Sequence, residues 1–256
     1  MTYTKKAIIT GASSGIGRAL AAALSNEGYA LGLMARRSEL LEILKKELPA
    51  PVWIVQSDFE NPERALADFN NLCAQMGAVD LVVLNAGVNH RNLELDWEPD
   101  RNMLQVNVAS FVALANETMR IFLKQGAGHL TGISSIAGVR GSGKAPVYSA
   151  TKAFLISYLE GLRQRVQAEC PRIYVTDVRP GYVDTEMIRR ASFKFWVATP
   201  EKAARQIVSA IRKKRKALYV TRRWAIAAFF FRWLPDWFYD RIYRKIFKKI
   251  RKSDES

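Results

Sequence analysis

Tyr148-Ser149-Ala150-Thr151-Lys152 sets a phenol and an ammonium four residues apart, just after Pro146, a residue suited to open a helix. On a helix both side chains share one face. A cation beside a phenol stabilises the phenolate and draws the tyrosine pKa from its reference near 10 toward the working range of a general acid or base. Such a pair can protonate a carbonyl oxygen as hydride arrives. The spacing is common by chance and gains weight only in company. A second chemical candidate is the loop of Gly11, Ala12, Ser13, Ser14, Gly15, Ile16 and Gly17, which follows a short apolar run and precedes an alanine-rich helical stretch over 18–24. Here Gly11 permits a tight turn, Gly15 lets backbone approach a pyrophosphate, Gly17 permits close helix packing, and the helix N-terminus offers N–H groups to phosphate. The G-x-x-x-G-x-G spacing differs from the G-x-G-x-x-G fingerprint of many dinucleotide folds.

The second apolar run ends in Met34-Ala35-Arg36-Arg37, where NAD-preferring proteins place an acid for the ribose 2′-hydroxyl. The acid is absent. A guanidinium pairs with a 2′-phosphate that a carboxylate would repel, so Arg36 points to NADP.

With Asn85-Ala86-Gly87, Val106-Asn107-Val108 and Pro180-Gly181 added in the same order, the sequence resembles the short-chain dehydrogenase/reductase family over roughly residues 5–185. The family's serine falls at Ser135, thirteen residues before Tyr148, and not at Ser134. The resemblance implies Tyr148 as general acid in reduction and base in oxidation, and Ser135 as hydrogen-bond partner of the substrate oxygen. Lys152 would hold the nicotinamide ribose and lower the Tyr148 pKa, while Asn107 would position a water for proton relay. Asp58 would meet the adenine edge, Asn85 would steady the central strands, and Asn85, Ala86 and Gly87 would contact the cofactor. Thr185 and the backbone near Val183 would orient the carboxamide, and Pro180 and Gly181, the family's P-G turn, would contact the cofactor. Leu84 departs from the family pattern, in which a second asparagine is frequent. Homo-oligomers are also implied, dimers or tetramers, through helices containing 107–124 and 148–168.

Elements that could position these groups are readable in the pattern. Short apolar runs at 7–10, 29–35, 52–56, 81–84, 129–134 and 173–178 alternate with amphipathic helical stretches. Helix starts are marked by Ser38, by Asn61 before Pro62, and by Thr199 before Pro200; a last strand falls at 217–220. The expected fold is α/β, a Rossmann-type doubly wound parallel sheet in three layers, as one catalytic domain over 1–220 with a basic amphipathic C-terminal extension over 221–256.

Composition excludes several classes. Cys73 and Cys170 are too few and too distant for a disulfide framework or a C-x-x-C pair, which points to a reducing compartment. His90 and His129 lack a cluster of further ligands, so no metal site is expected. The first residues carry no signal-peptide pattern, and a cytoplasmic location is expected. Net charge is +15, of which +13 falls in residues 212–252. The apolar stretch over 224–234, interrupted by Arg232, is shorter than the roughly 20 residues of a spanning helix. After Pro235, with Asp236 as N-cap, a helix would gather Tyr239, Ile242, Tyr243, Ile246, Phe247 and Ile250 opposite Arg241, Arg244, Lys245, Lys248, Lys249 and Arg251. Such a helix suits the anionic surface of a membrane. The overall expectation is an NADP(H)-dependent oxidoreductase of a lipophilic carbonyl or secondary alcohol, since Met187, Ile188, Phe193, Phe195 and Trp196 follow Gly181. A non-catalytic NADP-binding sensor and a nucleic-acid binder acting through the basic tail are the alternatives; no nucleic-acid partner is expected, because the tail is rich in apolar segments.

Overall fold

The computed structural model describes residues 5–90, 92–188, 195–241, 243 and 244. Seven parallel strands form one sheet in the order β3-β2-β1-β4-β5-β6-β7: β1 (Lys5–Thr10), β2 (Tyr29–Ala35), β3 (Val52–Gln56), β4 (Leu81–Leu84), β5 (Gly128–Ile133), β6 (Ile173–Pro180) and β7 (Ala217–Val220). The runs are apolar without alternation because both faces are covered. Ile9, Leu31 and Leu33 pack with Leu20 and Leu24 of α1 (Gly15–Asn26), Leu41 and Leu44 of α2 (Ser38–Glu47), and Ile207 and Ile211 of α7 (Pro200–Arg212). Their neighbours Ile8 and Val82 point to the other face. There they meet Phe69 and Leu72 of α3 (Pro62–Met76), Phe111 and Phe122 of α5 (Ser110–Gln125), and Leu155 and Leu159 of α6 (Pro146–Glu169). The period-two exchange of faces produces the three layers.

Local signals set several boundaries. Asn61 Oδ1 accepts the Arg64 N–H at 2.8 Å with Pro62 at the first helical position, and Thr199 Oγ1 accepts the Lys202 N–H at 3.2 Å ahead of Pro200. Ser38 is not a cap: α2 begins at Ser38, and Arg37 occupies the cap position. β6 runs two residues past the expected end because Arg179 and Pro180 pair with Tyr219 and Val220 of β7. α4 (Trp97–Leu104) passes into α5 through a π-helical turn over Gln105–Ala109, the kind of irregularity that recurs at functional sites. After β7, α8 (Arg222–Trp233) packs on the body with Trp224 and Ala228 buried.

Candidate active site

The switch in strand order falls between β1 and β4, and the candidate residues gather at the carboxyl ends of the strands around it, where open α/β sheets bind ligands. Thr10 closes β1, and its hydroxyl accepts the N–H groups of Asn85 and Ala86 at 3.0 and 3.1 Å. The Asn85 side chain donates back to the carbonyls of Thr10 and Gly11 at 3.0 and 3.1 Å, tying the glycine loop to the end of β4. At position 17 a β-carbon would overlap the Gly11 carbonyl and lie 2.6 Å from Asn85 Nδ2. Gly15 has φ +54°, and a β-carbon there would come within 2.8 Å of Thr185 Cγ2. Glycine spacing thus brings Thr185 over the start of α1. Val183 nearby is buried and bridges Ala198.

The two arginines after β2 diverge. Arg36, exposed, pairs with Glu60 at 3.1 Å. Arg37 instead turns over the glycine loop, donating to Ser14 Oγ at 2.8 Å and Ser13 Oγ at 3.4 Å, and pairs with Glu186 at 3.2 Å. Sequence spacing singled out Arg36; that Arg37 is the one that faces the loop is shown only by tertiary contact. Asp58 is exposed, and its carboxylate accepts the Glu60 N–H at 3.1 Å.

Pro146 opens α6 and places Tyr148 and Lys152 on the face toward β5. The Tyr148 phenol faces the Ser135 hydroxyl. Ser135 is buried; its Oγ accepts the Ala137 N–H at 3.1 Å and reaches the Pro180 carbonyl at 3.4 Å, so the ends of β5 and β6 meet at this hydroxyl. Lys152 is buried, donates to the Ile133 carbonyl at 3.0 Å, and stands 5.8 Å from the Tyr148 ring centroid. Burial lowers its pKa to about 8, against the opposing charge of Asp177. Burial pushes the Tyr148 phenol up, and the Ser135 hydroxyl offsets only part of that.

Asn107 sits on the π-helical turn, buried, with Oδ1 accepting the Val88 N–H at 2.8 Å and Nδ2 donating to Val88 O at 2.9 Å and Thr151 Oγ1 at 3.3 Å. Its side chain thereby fastens the segment after β4 to α6 one residue before Lys152. A β-carbon at Gly87 would lie 3.2 Å from Asn107 Oδ1 and 3.5 Å from Lys152 Nζ, so the end of β4 packs close to both side chains.

Three further features escaped sequence reasoning. Ser134 bonds the buried carboxylate of Asp177 and donates to Val178 O at 3.0 Å. Asp177 accepts from Arg179 Nε at 2.6 Å, and Arg179 donates to Tyr219 Oη at 2.8 Å. Burial raises the Asp177 pKa and Arg179 opposes the rise. Polar residues inside the β6 run were the available signal. Next, Trp224 of α8 covers Gly181 so closely that a β-carbon there would overlap the indole. Tyr182, Phe195 and Trp196 surround it with ring centroids 5.7, 5.1 and 5.5 Å away. The buried indole N–H has no hydrogen-bond partner among the described residues.

Third, Arg140, in the segment after Ser135, caps the end of α8. Its guanidinium donates to the carbonyls of Phe231 at 3.1 Å and Leu234 at 2.7 Å, pairs with Asp236, and lies 4.6 Å over the Tyr239 ring. Tyr239 Oη donates to Gly141 O at 2.8 Å, and Tyr243 Oη is 3.4 Å from Ser142 Oγ. These contacts correct the sequence reading twice. Tyr239 and Tyr243 face the enzyme rather than an outer apolar stripe, and Asp236 is not a cap, because helix begins at Asp236 with the Phe238 and Tyr239 N–H groups on Pro235 O. Ile242, Ile246, Phe247, Ile250 and Lys245, Lys248, Lys249 and Arg251 lie outside the described residues, as does Phe193. No helix among the described residues is long and apolar enough to cross a membrane.

A parallel sheet wound in both directions from β1, with loops converging at the strand ends, defines a Rossmann-type α/β protein. The chain belongs to the short chain dehydrogenase family, whose model matches residues 5–194. It is 36% identical over 198 residues to an uncharacterized oxidoreductase of Myxococcus xanthus, covering 75% of this chain and 77% of that one. It is 31% identical over 220 residues to an oxidoreductase of Mycobacterium tuberculosis, covering 82% and 85%. Among solved structures, an alcohol dehydrogenase of Thermococcus sibiricus complexed with 5-hydroxy-NADP aligns with TM-score 0.72 at 29% identity, covering 84% of this chain and 95% of that one. The actinorhodin polyketide ketoreductase with NADPH aligns with TM-score 0.78 at 25% identity, covering 86% and 97%.

Proposed function

We propose that the chain is an NADP(H)-dependent oxidoreductase that interconverts a lipophilic carbonyl compound and its secondary alcohol. The observation that carries the reading is the meeting of Tyr148, Ser135 and Lys152 at the ends of β5 and β6, beside the loop of Gly11 to Gly17. The family's relatives with bound NADPH or 5-hydroxy-NADP support a nicotinamide cofactor. The fit is supported by the glycines at 11, 15 and 17, which let the loop pack against the end of β4 and Thr185 and leave backbone at the α1 N-terminus to meet a phosphate. A nicotinamide cofactor bound there would supply or accept the hydride. Gly11, Ser13, Ser14, Gly15, Ile16 and Gly17 would hold its pyrophosphate, Lys152 its ribose, and Val183 and Thr185 its carboxamide, with Asp58 at the adenine edge. The 2′-phosphate falls mainly to Arg37, which already lies against Ser13 and Ser14; Arg36 becomes the outer, secondary cation.

In reduction, Ser135 and Tyr148 hydroxyls bind the carbonyl oxygen, and Tyr148 gives up its proton as negative charge develops there. The phenol is protonated at neutral pH, the form this step requires, and burial keeps it so. Asn107 keeps Lys152 in place through Val88 and Thr151. Aromatic rings of Tyr182, Phe195, Trp196 and Trp224 beside Gly181 support an apolar substrate. The stacked pair Phe154 and Tyr158, with Phe154 exposed on α6, supports self-association along α5 and α6. The strongly basic extension supports an anionic membrane as the working surface. The test is a panel of lipophilic ketones, aldehydes and secondary alcohols with NADPH, NADP, NADH and NAD, followed at the nicotinamide absorbance. Turnover with the phosphorylated cofactors is expected; binding of none of the four would overturn the reading.

A further inference from the structure

The rings exposed along α8 form a surface of their own. At about 100° per residue, Trp224 and Ala228 lie on the side of the helix that faces the body, and Ile226, Phe229, Phe230 and Trp233 lie on the opposite side. Trp237 follows beyond Pro235. These five outward side chains are between 62% and 73% exposed. A helix apolar on both sides is one that has apolar surroundings on both sides, and the protein covers only one. Cations frame the uncovered side: Arg222, Arg223, Arg232, Arg241 and Arg244 are exposed, and no ion pair among the described residues engages any of them.

We infer that the outward face of α8 and Trp237, not the Tyr239 and Tyr243 stripe, is the surface that enters an anionic bilayer, and that α8 forms the wall between lipid and substrate pocket. The inference rests on the membrane reading above and names its contact. Rings at headgroup depth with guanidinium groups beside lipid phosphates match an interfacial helix, whereas a protein partner would leave the five arginines in need of matching acids. The opposite side of α8 carries Trp224 on Gly181, next to the Pro180 carbonyl that Ser135 reaches. Only one helix, about 10 Å thick, therefore separates the bilayer from the candidate pocket. Arg140 holds the far end of this helix to the segment after Ser135, so both loops beside the site are fixed to the membrane-facing element. A lipophilic substrate can pass from bilayer to pocket without crossing water.

The test is flotation of the full chain with phosphatidylcholine vesicles, with and without phosphatidylglycerol, beside a Phe230→Ser, Trp233→Ser double variant and a Tyr239→Phe control. Each chain's thermal unfolding and NADPH binding are measured in the absence of lipid. The full chain and the control should float with anionic vesicles at low salt. The double variant should partition at least about tenfold more weakly while remaining folded and binding NADPH normally. Brominated lipid should quench the full chain's tryptophan emission, and less so after Trp233→Phe with Trp237→Phe. If the full chain does not float, the membrane reading itself fails and this inference with it. If it floats and the double variant floats equally, membrane binding stands but its contact lies elsewhere, and this inference alone is overturned. Unchanged flotation with a shift from dimer to monomer in sedimentation would make the face an interface between copies, which also overturns it.

Discussion

The loop after β1 and the segments after β5 and β6 lie on one edge of the same sheet, yet they are built from different materials. Around Gly11 to Gly17 the site is backbone: glycines that exclude a β-carbon, a helix start, and strand ends joined by Thr10 and Asn85, with ionisable groups such as Arg36, Arg37 and Glu186 at its rim. Around Tyr148 it is side chains from distant segments: Ser135, Lys152, Asp177, Arg179 and Trp224, several of them buried ionisable groups. Backbone geometry suits an invariant pyrophosphate, whereas a proton-transfer group must be tuned by burial and neighbours. Substitutions on the two sides should therefore fail differently.

The largest separation is expected from Tyr148→Phe. Turnover should fall by about 10²–10⁴-fold, the usual contribution of a positioned acid or base, while titration calorimetry shows NADPH affinity within about twofold of the parent. A matching loss of cofactor affinity would erase the division between the two regions. Trp224→Ala comes next. Removing a buried ring should lower stability by about 3–5 kcal/mol in denaturant unfolding, and in the folded population should raise KM for lipophilic substrates with cofactor affinity kept.

On the nucleotide side, Arg37→Ala should weaken NADPH binding by about 1.5–3 kcal/mol and NADH binding far less, the scale of a charge-assisted hydrogen bond. Arg36→Ala, which removes an exposed pair with Glu60, should cost about 1 kcal/mol or less. The reverse ranking would return the 2′-phosphate to Arg36.

A further effect is one of pH. Burial holds the Lys152 pKa at about 8 in the fold, below its ordinary value of 10.5, so its charged form is disfavoured by folding. The cost is full below about pH 8 and fades as pH rises toward 10.5, because there the unfolded chain binds more protons than the folded one. Cys73, raised from 9.0 to about 12, acts with the opposite sign from pH 9 upward. The difference between the parent and Lys152→Met, measured by urea unfolding across this range, isolates the lysine: the parent should gain stability relative to the variant as pH rises. A flat difference would mean that the lysine is not held in a low-dielectric site.

The sequence alone determined the parallel sheet, because unbroken apolar runs such as Leu81–Leu84 can only be buried on both faces, and it determined helix starts at Pro62 and Pro200, where proline and a preceding cap act locally, and at Pro146, where proline acts without a capping side chain. It also determined the glycine loop, since a missing β-carbon is a property of the residue itself. Only the tertiary structure decided which of two adjacent arginines turns over that loop, because rotamer and neighbour set a long side chain's direction and nothing in the dipeptide does. The same holds for the face of the extension. Helical periodicity grouped Tyr239 with Tyr243 correctly, but whether that stripe met lipid or protein depended on Arg140, ninety-six residues away from Asp236 in the chain and in direct contact with it in the fold.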